Sequence, residues 1–179
     1  TKCTCNVAET SVESVTVEEL LDMAGVSPEQ MARDLSAKKL TYGWIEGSQK
    51  VRELIAGLYK KQKASYIVTT HGCIGDNMLV HGTLVEPGDH VISVIPPYQQ
   101  HYSIPESFGA RIETLRLKPE NGFLPDLEEL RRMATPGTKL ICINNPNNPT
   151  GALMDEAMLR AICEIAREAG AWLLCDEVY

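Results

Sequence analysis

Four short stretches of this chain carry residue types that could do chemistry, and each sits where an apolar run gives way to a loop. THGCIGDN, over 70–77, places Gly72 just after a β-rich run and just before a helix-like one. A glycine there permits a tight turn. It also leaves the amides of Gly72, Cys73 and Ile74 pointing outward at a helix start, an arrangement that attracts anions and phosphate in particular. The stretch is neither a Lys-Ser/Thr phosphate loop nor a full G-x-G-x-x-G. Taken alone, the stretch is better accounted for by a glycine needed only for the turn. IPPYQQHY, over 95–102, puts Tyr98 on a proline-stiffened turn, where its ring could stack on a planar ligand or pack on its own loop.

INNPNNPTG, over 143–151, cannot be helix or strand because of its prolines and Gly151. Asn148 precedes Pro149 and is therefore biased to an extended backbone that projects its amide from the strand end. CDEVY, over 175–179, sets Asp176 directly after an apolar strand-like run. A carboxylate in that position is costly to ionise unless a positive group meets it, and a pyridinium N–H is one such group. His71 beside Cys73 suggests a Cys–His hydrolase. Residues two apart on a turn rarely face one another, and no orienting acid accompanies them.

The elements that must position these residues follow from hydrophobic period. SYIVTT (65–70), HVISVI (90–95), IETLRL (112–117), KLICI (139–143) and AWLLC (171–175) read as strands, several of them buried. IGDNMLVHGTLV (74–85), the segment after Pro97, DLEELRRM (126–133) and DEAMLRAICEIAREAG (155–170) read as helices. In the last of these Met158, Leu159, Ile162, Cys163, Ile165 and Ala166 form one apolar face. Upstream, Thr16 and Glu19 have capping-box spacing, and Ser27 with Pro28 opens a second helix. Val51, Leu54, Ile55, Leu58 and Tyr59 fall on one helical face between 46 and 61. Strands alternating with helices predict an α/β fold, a three-layer α/β/α with a mainly parallel sheet covered on both faces. Ligands then bind beyond the carboxyl ends of the strands, where all four stretches lie.

Composition narrows the classes. With 179 residues, 44% of them apolar, the chain can bury one sizeable core. A net charge of −7 without a basic cluster argues against nucleic acid. No apolar run is long enough for a membrane span and the first residues lack a signal core, so a cytoplasmic location is expected. Cys142, Cys163 and Cys175 lie in apolar runs and read as small buried thiols. Cys3 and Cys5 form a lone C-x-C without a second ligand pair, and no metal is expected.

Taken in order, THGCIG, PPY, NNPNNPTG and DEVY resemble the strand ends of the aspartate-aminotransferase-type (fold type I, class I/II) pyridoxal-phosphate enzymes. LTYGWIEGSQKVRELIAGLYKK resembles their Y…G…LR helix opening, and the resemblance runs from NVAETS to Tyr179. It implies a PLP-dependent transferase-like large domain of which this is the N-terminal portion. Residues 1–25 would form an arm and short helix, and 26–179 the N-terminal part of the cofactor-binding domain. The cofactor implied is pyridoxal 5′-phosphate. Asp176 would pair with its pyridine nitrogen, Tyr98 would stack on its ring, and Asn148 and Tyr179 would bond its phenolic oxygen. Gly72, Cys73 and Ile74 would hold its phosphate. Tyr42 would reach the phosphate in the neighbouring subunit, implying a homodimer, and the arm near Ala8 to Thr10 would lie by the substrate.

The function implied is an aminotransferase, moving an amino group from an amino acid to a 2-oxo acid through a Schiff base. A lyase, synthase or decarboxylase on the same fold, or a non-catalytic binding domain, are the alternatives. Two features depart from the pattern: Cys73 is a poor hydrogen-bond donor for its position, and His71 has no evident role. The resemblance also puts the Schiff-base lysine and the carboxylate-binding arginine beyond Tyr179. Lys39, in Ser36-Ala-Lys-Lys39, precedes the sheet and reads as surface charge. These 179 residues alone are therefore expected to be inactive.

Overall fold

The computed structural model describes residues 13–179, which divide into two compact units, one ending at Val68 and the other spanning Thr69–Tyr179. The expectations for Ala8 to Thr10, Cys3 and Cys5 lie outside the described residues.

In the first unit three short helices follow their capping signals. α1 (Val17–Ala24) opens on a capping box in which Thr16 Oγ1 accepts from the Glu19 amide at 3.2 Å while Glu19 Oε2 accepts from the Thr16 amide at 2.7 Å. It stops at Gly25, whose φ of 65° favours glycine. α2 (Pro28–Ser36) begins at Ser27, whose hydroxyl accepts from the Gln30 amide. α3 (Gln49–Ala56) is shorter than its apolar period suggested. Ser48 caps its start and Gly57 its end, so Leu58 and Tyr59 fall beyond the helix. Arg52 Nε donates to the Ala64 carbonyl at 3.0 Å and ties α3 to a 3-10 turn over Ala64–Tyr66.

That turn overturns one expectation. SYIVTT, read as a buried strand, is not a member of the sheet among the described residues. The Tyr66 and Ile67 amides donate to the carbonyls of Lys63 and Ala64 and so serve a local turn. β-branched content favours an extended chain, but a strand exists only where a neighbour pairs with it.

The second unit is a three-layer α/β/α. Its elements are α4 (Gly72–Leu84), β1 (His90–Ile95), α5 (Gln100–Ser107), β2 (Arg111–Arg116), α6 (Leu127–Met133), β3 (Thr138–Asn144), α7 (Glu156–Ala169) and β4 (Trp172–Asp176). The four strands are all parallel, in the order β2-β1-β3-β4. Alternate residues of β1 and β3 feed the two faces, as the strand period requires. Ile92, Val94, Ile141 and Ile143 pack with Leu130, Ile162 and Ile165 of α6 and α7. Val91, Leu140 and Cys142 face the other way, with Leu84, Val85 and Phe108.

Two burial expectations need correction. Cys163 is exposed, because it stands one residue, about 100° of helix rotation, from buried Ile162. β4 is less buried than its apolar sequence suggested: Trp172 is 60% exposed, and Cys175 is half-buried. Among the described residues it is an edge strand, paired on one side only with β3. Its one buried residue is Asp176, 6% exposed.

Candidate active site

Parallel pairing brings the strand ends to one edge. The β3–β4 register sets Asn144 directly beside Asp176 although 32 residues separate them. Asn144 then joins two of the expected site segments. Its Nδ2 donates to the Asp176 carbonyl at 2.9 Å, and its Oδ1 accepts from the Asn148 amide at 2.5 Å. The loop itself is pinned by neighbouring amides. Asn145 brackets Met154 with two hydrogen bonds, and Asn147 Nδ2 donates to the Pro96 carbonyl at 3.2 Å, linking the loop to the turn after β1. The Ile95–Pro96, Asn145–Pro146 and Asn148–Pro149 peptide bonds are cis.

The Asp176 carboxylate is the centre of a polar cluster. Cys73 donates its thiol to Oδ2 at 3.3 Å, the Val178 amide donates to Oδ1 at 3.1 Å, and His101 Nε2 stands 3.1 Å from Oδ2. The His101 approach has the distance of a hydrogen bond but is poorly aligned for one. Burial pushes the Asp176 carboxyl up, yet these three donors together outweigh it and hold the group below the usual carboxylate range. Asp176 is thus a buried anion at neutral pH. Cys73 moves the opposite way: burial, then the bond to Asp176 and its charge, push the thiol up to about 12. It stays protonated, which removes the Cys–His nucleophile reading.

A second chain of contacts runs to Tyr98. Asn77 Nδ2 donates to Gln100 Oε1 at 2.9 Å, and Gln100 Nε2 donates to the Tyr98 hydroxyl at 2.9 Å. The Tyr98 and His101 rings meet edge to face, with centroids 6.3 Å apart at 73°.

The start of α4 differs from most of the other helix starts. Side chains cap α1, α2, α3, α6 and α7, whereas α4, like α5, has no side-chain cap among the described residues and no acid in its first turn. Gly72 takes φ 71° at this point, in the left-handed region. The first-turn N–H groups of Gly72, Cys73 and Ile74 have no intrahelical acceptor and so can serve an anion. Gly75 is also needed as it stands, since a Cβ would come within 2.8 Å of Thr70 Oγ1.

The sequence from 16 to 179 matches the family model for aminotransferase class I and II. The chain belongs to that family. It is 34% identical over 154 residues to a probable aspartate/prephenate aminotransferase of Thermus aquaticus, covering 82% of this chain and 40% of that protein. A crystal structure of a PLP-dependent aminotransferase from Streptococcus suis superposes with a TM-score of 0.92 at 51% identity, over 94% of this chain and 45% of that one. Capreomycidine synthase of Streptomyces vinaceus is 30% identical over 147 residues, 82% of this chain and 38% of the synthase. The chain therefore spans about 40% of the length of the curated relatives it matches.

The family's cofactor, pyridoxal 5′-phosphate, has an anion at one end and a basic ring nitrogen at the other. The residues present fit both: an uncapped helix start that no acid fills, and a buried carboxylate held ionised by its neighbours. Cys73 lies between them, at the first turn of α4 and bonded to Asp176.

Of the residues singled out from sequence, Cys73, Tyr98, Asn148 and Asp176 belong to one connected network. Ile74 is on the same helix start and 55% exposed, and Tyr179 follows β4 at 46% exposed. Tyr42 belongs to the first unit and is fully exposed. His71 is the exposed residue preceding α4 and makes no side-chain cap. His101, Asn77, Gln100 and Asn144 were not singled out. Asn144 was findable, as the last residue before the loop. His101 stands three residues after Tyr98, and that spacing on a helix start was its only signal.

Proposed function

We propose that the full-length protein carrying this chain is a pyridoxal-phosphate-dependent aminotransferase, which transfers an amino group from an amino acid to a 2-oxo acid. The observation that carries this reading is the buried Asp176 carboxylate, held ionised beside an uncapped helix start at the carboxyl edge of a parallel sheet. The cofactor, when bound, supplies an electron sink for the carbanion that forms at the substrate's α-carbon.

The chain's own residues prepare that sink. Asp176 would accept a hydrogen bond from the ring N–H and so keep that nitrogen protonated, because a buried anion stabilises the adjacent cation. His101 and Cys73 hold the carboxylate in place. The amides of Gly72, Cys73 and Ile74 anchor the phosphate, and Tyr98 covers one face of the ring. Asn148 and Tyr179 bond the phenolic oxygen. Tyr42 contributes to the partner's phosphate site in a cytoplasmic homodimer, and residues 26–179 form the first part of the large domain.

The test is reconstitution of the full-length protein with pyridoxal phosphate, followed by visible absorbance, light scattering for the dimer, and a panel of amino donors with 2-oxo acceptors. Amino-acid-dependent bleaching with stoichiometric 2-oxo acid release supports transamination. A protein that takes up no cofactor overturns the reading. The relationship to capreomycidine synthase favours a second reading, a synthase or lyase on the same cofactor. Product release without any amino-group acceptor would select it.

A further inference from the structure

Behind the residues proposed to meet the cofactor lies a second polar layer. α4 covers the sheet, and a covering helix ordinarily buries an apolar stripe. Its only fully buried residues are instead Asn77 and His81. Together with Cys73 they stand at i, i+4 and i+8, one polar face running down the helix. Cys73 reaches Asp176 and Asn77 reaches Gln100. His81 faces His101 of α5 and Cys142 of β3, and one ligand-type atom from each of the three lies within 4.8 Å of the others.

Both imidazoles are wholly buried, and none of their four ring nitrogens has an aligned hydrogen-bond partner among the described residues. Buried polar groups are nearly always satisfied by protein or by an ordered water. A span within 4.8 Å is one that a single water closes with two hydrogen bonds of about 2.8 Å. Three polar side chains give such a water the partners it needs.

We propose that His81 is a positioning residue for Asp176, holding His101 through one shared buried water in the tautomer that directs an N–H at the carboxylate. This rests on the reading of Asp176 as partner of the cofactor's ring nitrogen. Facing an anion, His101 Nε2 must carry the proton. In the neutral ring its Nδ1 is then an acceptor, and the water donates to it. His81 suits the far end of this relay because burial pulls its pKa down to about 4. A neutral ring at pH 7 can both accept and donate. The titratable groups facing it are His101 and Cys142, with Asp176 behind His101.

The experiment uses the full-length protein with ring-¹⁵N histidine, as wild type, His81→Leu and His81→Gln. In the cofactor-free protein His101 should hold the Nε2–H tautomer, become a tautomer mixture in His81→Leu, and recover in His81→Gln. With pyridoxal phosphate bound, a weaker hold on the ring proton should move the pH midpoint of the cofactor's absorbance upward in His81→Leu by about half a unit or more, again restored by Gln. Unchanged His101 tautomers in His81→Leu overturn the proposal. So does a wild-type His101 in the Nδ1–H form, which needs no folded variant to detect. Stoichiometric zinc on purified protein, lost in His81→Gln, would replace the shared water with a metal and also overturns it. A tautomer change in a protein that binds no pyridoxal phosphate keeps the positioning role and sinks only the cofactor reading.

Discussion

His101 Nε2 lies 3.1 Å from Asp176 Oδ2, and both side chains are almost wholly buried. The contact opposes the desolvation that would otherwise protonate Asp176. Replacing His101 by Leu leaves burial less opposed, so the Asp176 carboxyl rises and the acidic limb of the kcat/KM profile should move to higher pH. Asp176→Asn removes the anion outright. It should lower kcat/KM by at least about 100-fold and weaken pyridoxal phosphate binding, since a buried partner for the ring proton is lost. Steady-state kinetics and a cofactor titration on the full-length protein check both. An unshifted limb in His101→Leu would remove His101 from this role.

Asn144 carries a second prediction. Its amide spans the Asp176 carbonyl and the Asn148 amide, so one side chain sets the spacing of two site segments. Asn144→Ala removes both bonds, but the Asp176 carbonyl keeps the Asn145 amide at 2.8 Å and the Asn148 amide is only part-buried, so the cost is about 1–3 kcal/mol. Asn144→Asp keeps the acceptor but loses the donor and buries a second carboxylate beside Asp176, and should cost at least as much as Ala. Urea midpoints of both variants should fall below wild type, with cofactor affinity following them.

Local signals were the legible part of this chain. Thr16 and Ser27 cap the helices they precede, because capping needs only the next three residues. The parallel α/β order was readable for the same reason, as each element announces its own period. What depended on distant partners was not. SYIVTT has strand composition but its Tyr66 and Ile67 amides close a turn instead. Asp176 looked like the end of a buried strand, and is the one buried residue of an exposed edge. The inward face of α4 is polar, so a search for apolar period finds Met78 and Leu79, each about half exposed, and passes over Asn77 and His81.

His81 also predicts acid lability. Its native pKa, about 4, lies below the unfolded value of 6.5. Between those values the unfolded chain binds more protons, so stability rises with pH through this window and falls on acidification. Nothing is lost above pH 6.5, and the full effect, on the order of 2–3 kcal/mol, is reached near pH 4. Asp176 acts in a lower window: its depressed carboxyl stabilises the fold above the unfolded carboxylate pKa, and this is lost as pH falls through the native one. Urea midpoints at pH 7 and pH 5 should separate more in wild type than in His81→Gln. Equal separations would show that His81 is not the buried neutral group.

Two glycines of α4 make opposite predictions from one helix. At Gly82 an added Cβ meets only the Phe108 ring, Cζ at 3.6 Å and Cε2 at 4.0 Å, ordinary contacts. Gly82→Ala should therefore stabilise by about 0.5–1 kcal/mol, through the lower backbone entropy of alanine in the unfolded chain. At Gly75 the same atom would lie 2.8 Å from Thr70 Oγ1 and 3.0 Å from Thr70 Cβ. Thr70 cannot swing away freely, because its hydroxyl also bonds Asp76 Oδ1 at 2.8 Å. Gly75→Ala should cost about 1–3 kcal/mol and push the first turn of α4 outward. If that turn holds the phosphate, cofactor affinity must fall with it, whereas Gly82→Ala should leave affinity unchanged. Thermal melts and cofactor titrations of the two full-length variants test the pair. A Gly75→Ala protein with wild-type affinity would show that the helix start is not the anion site.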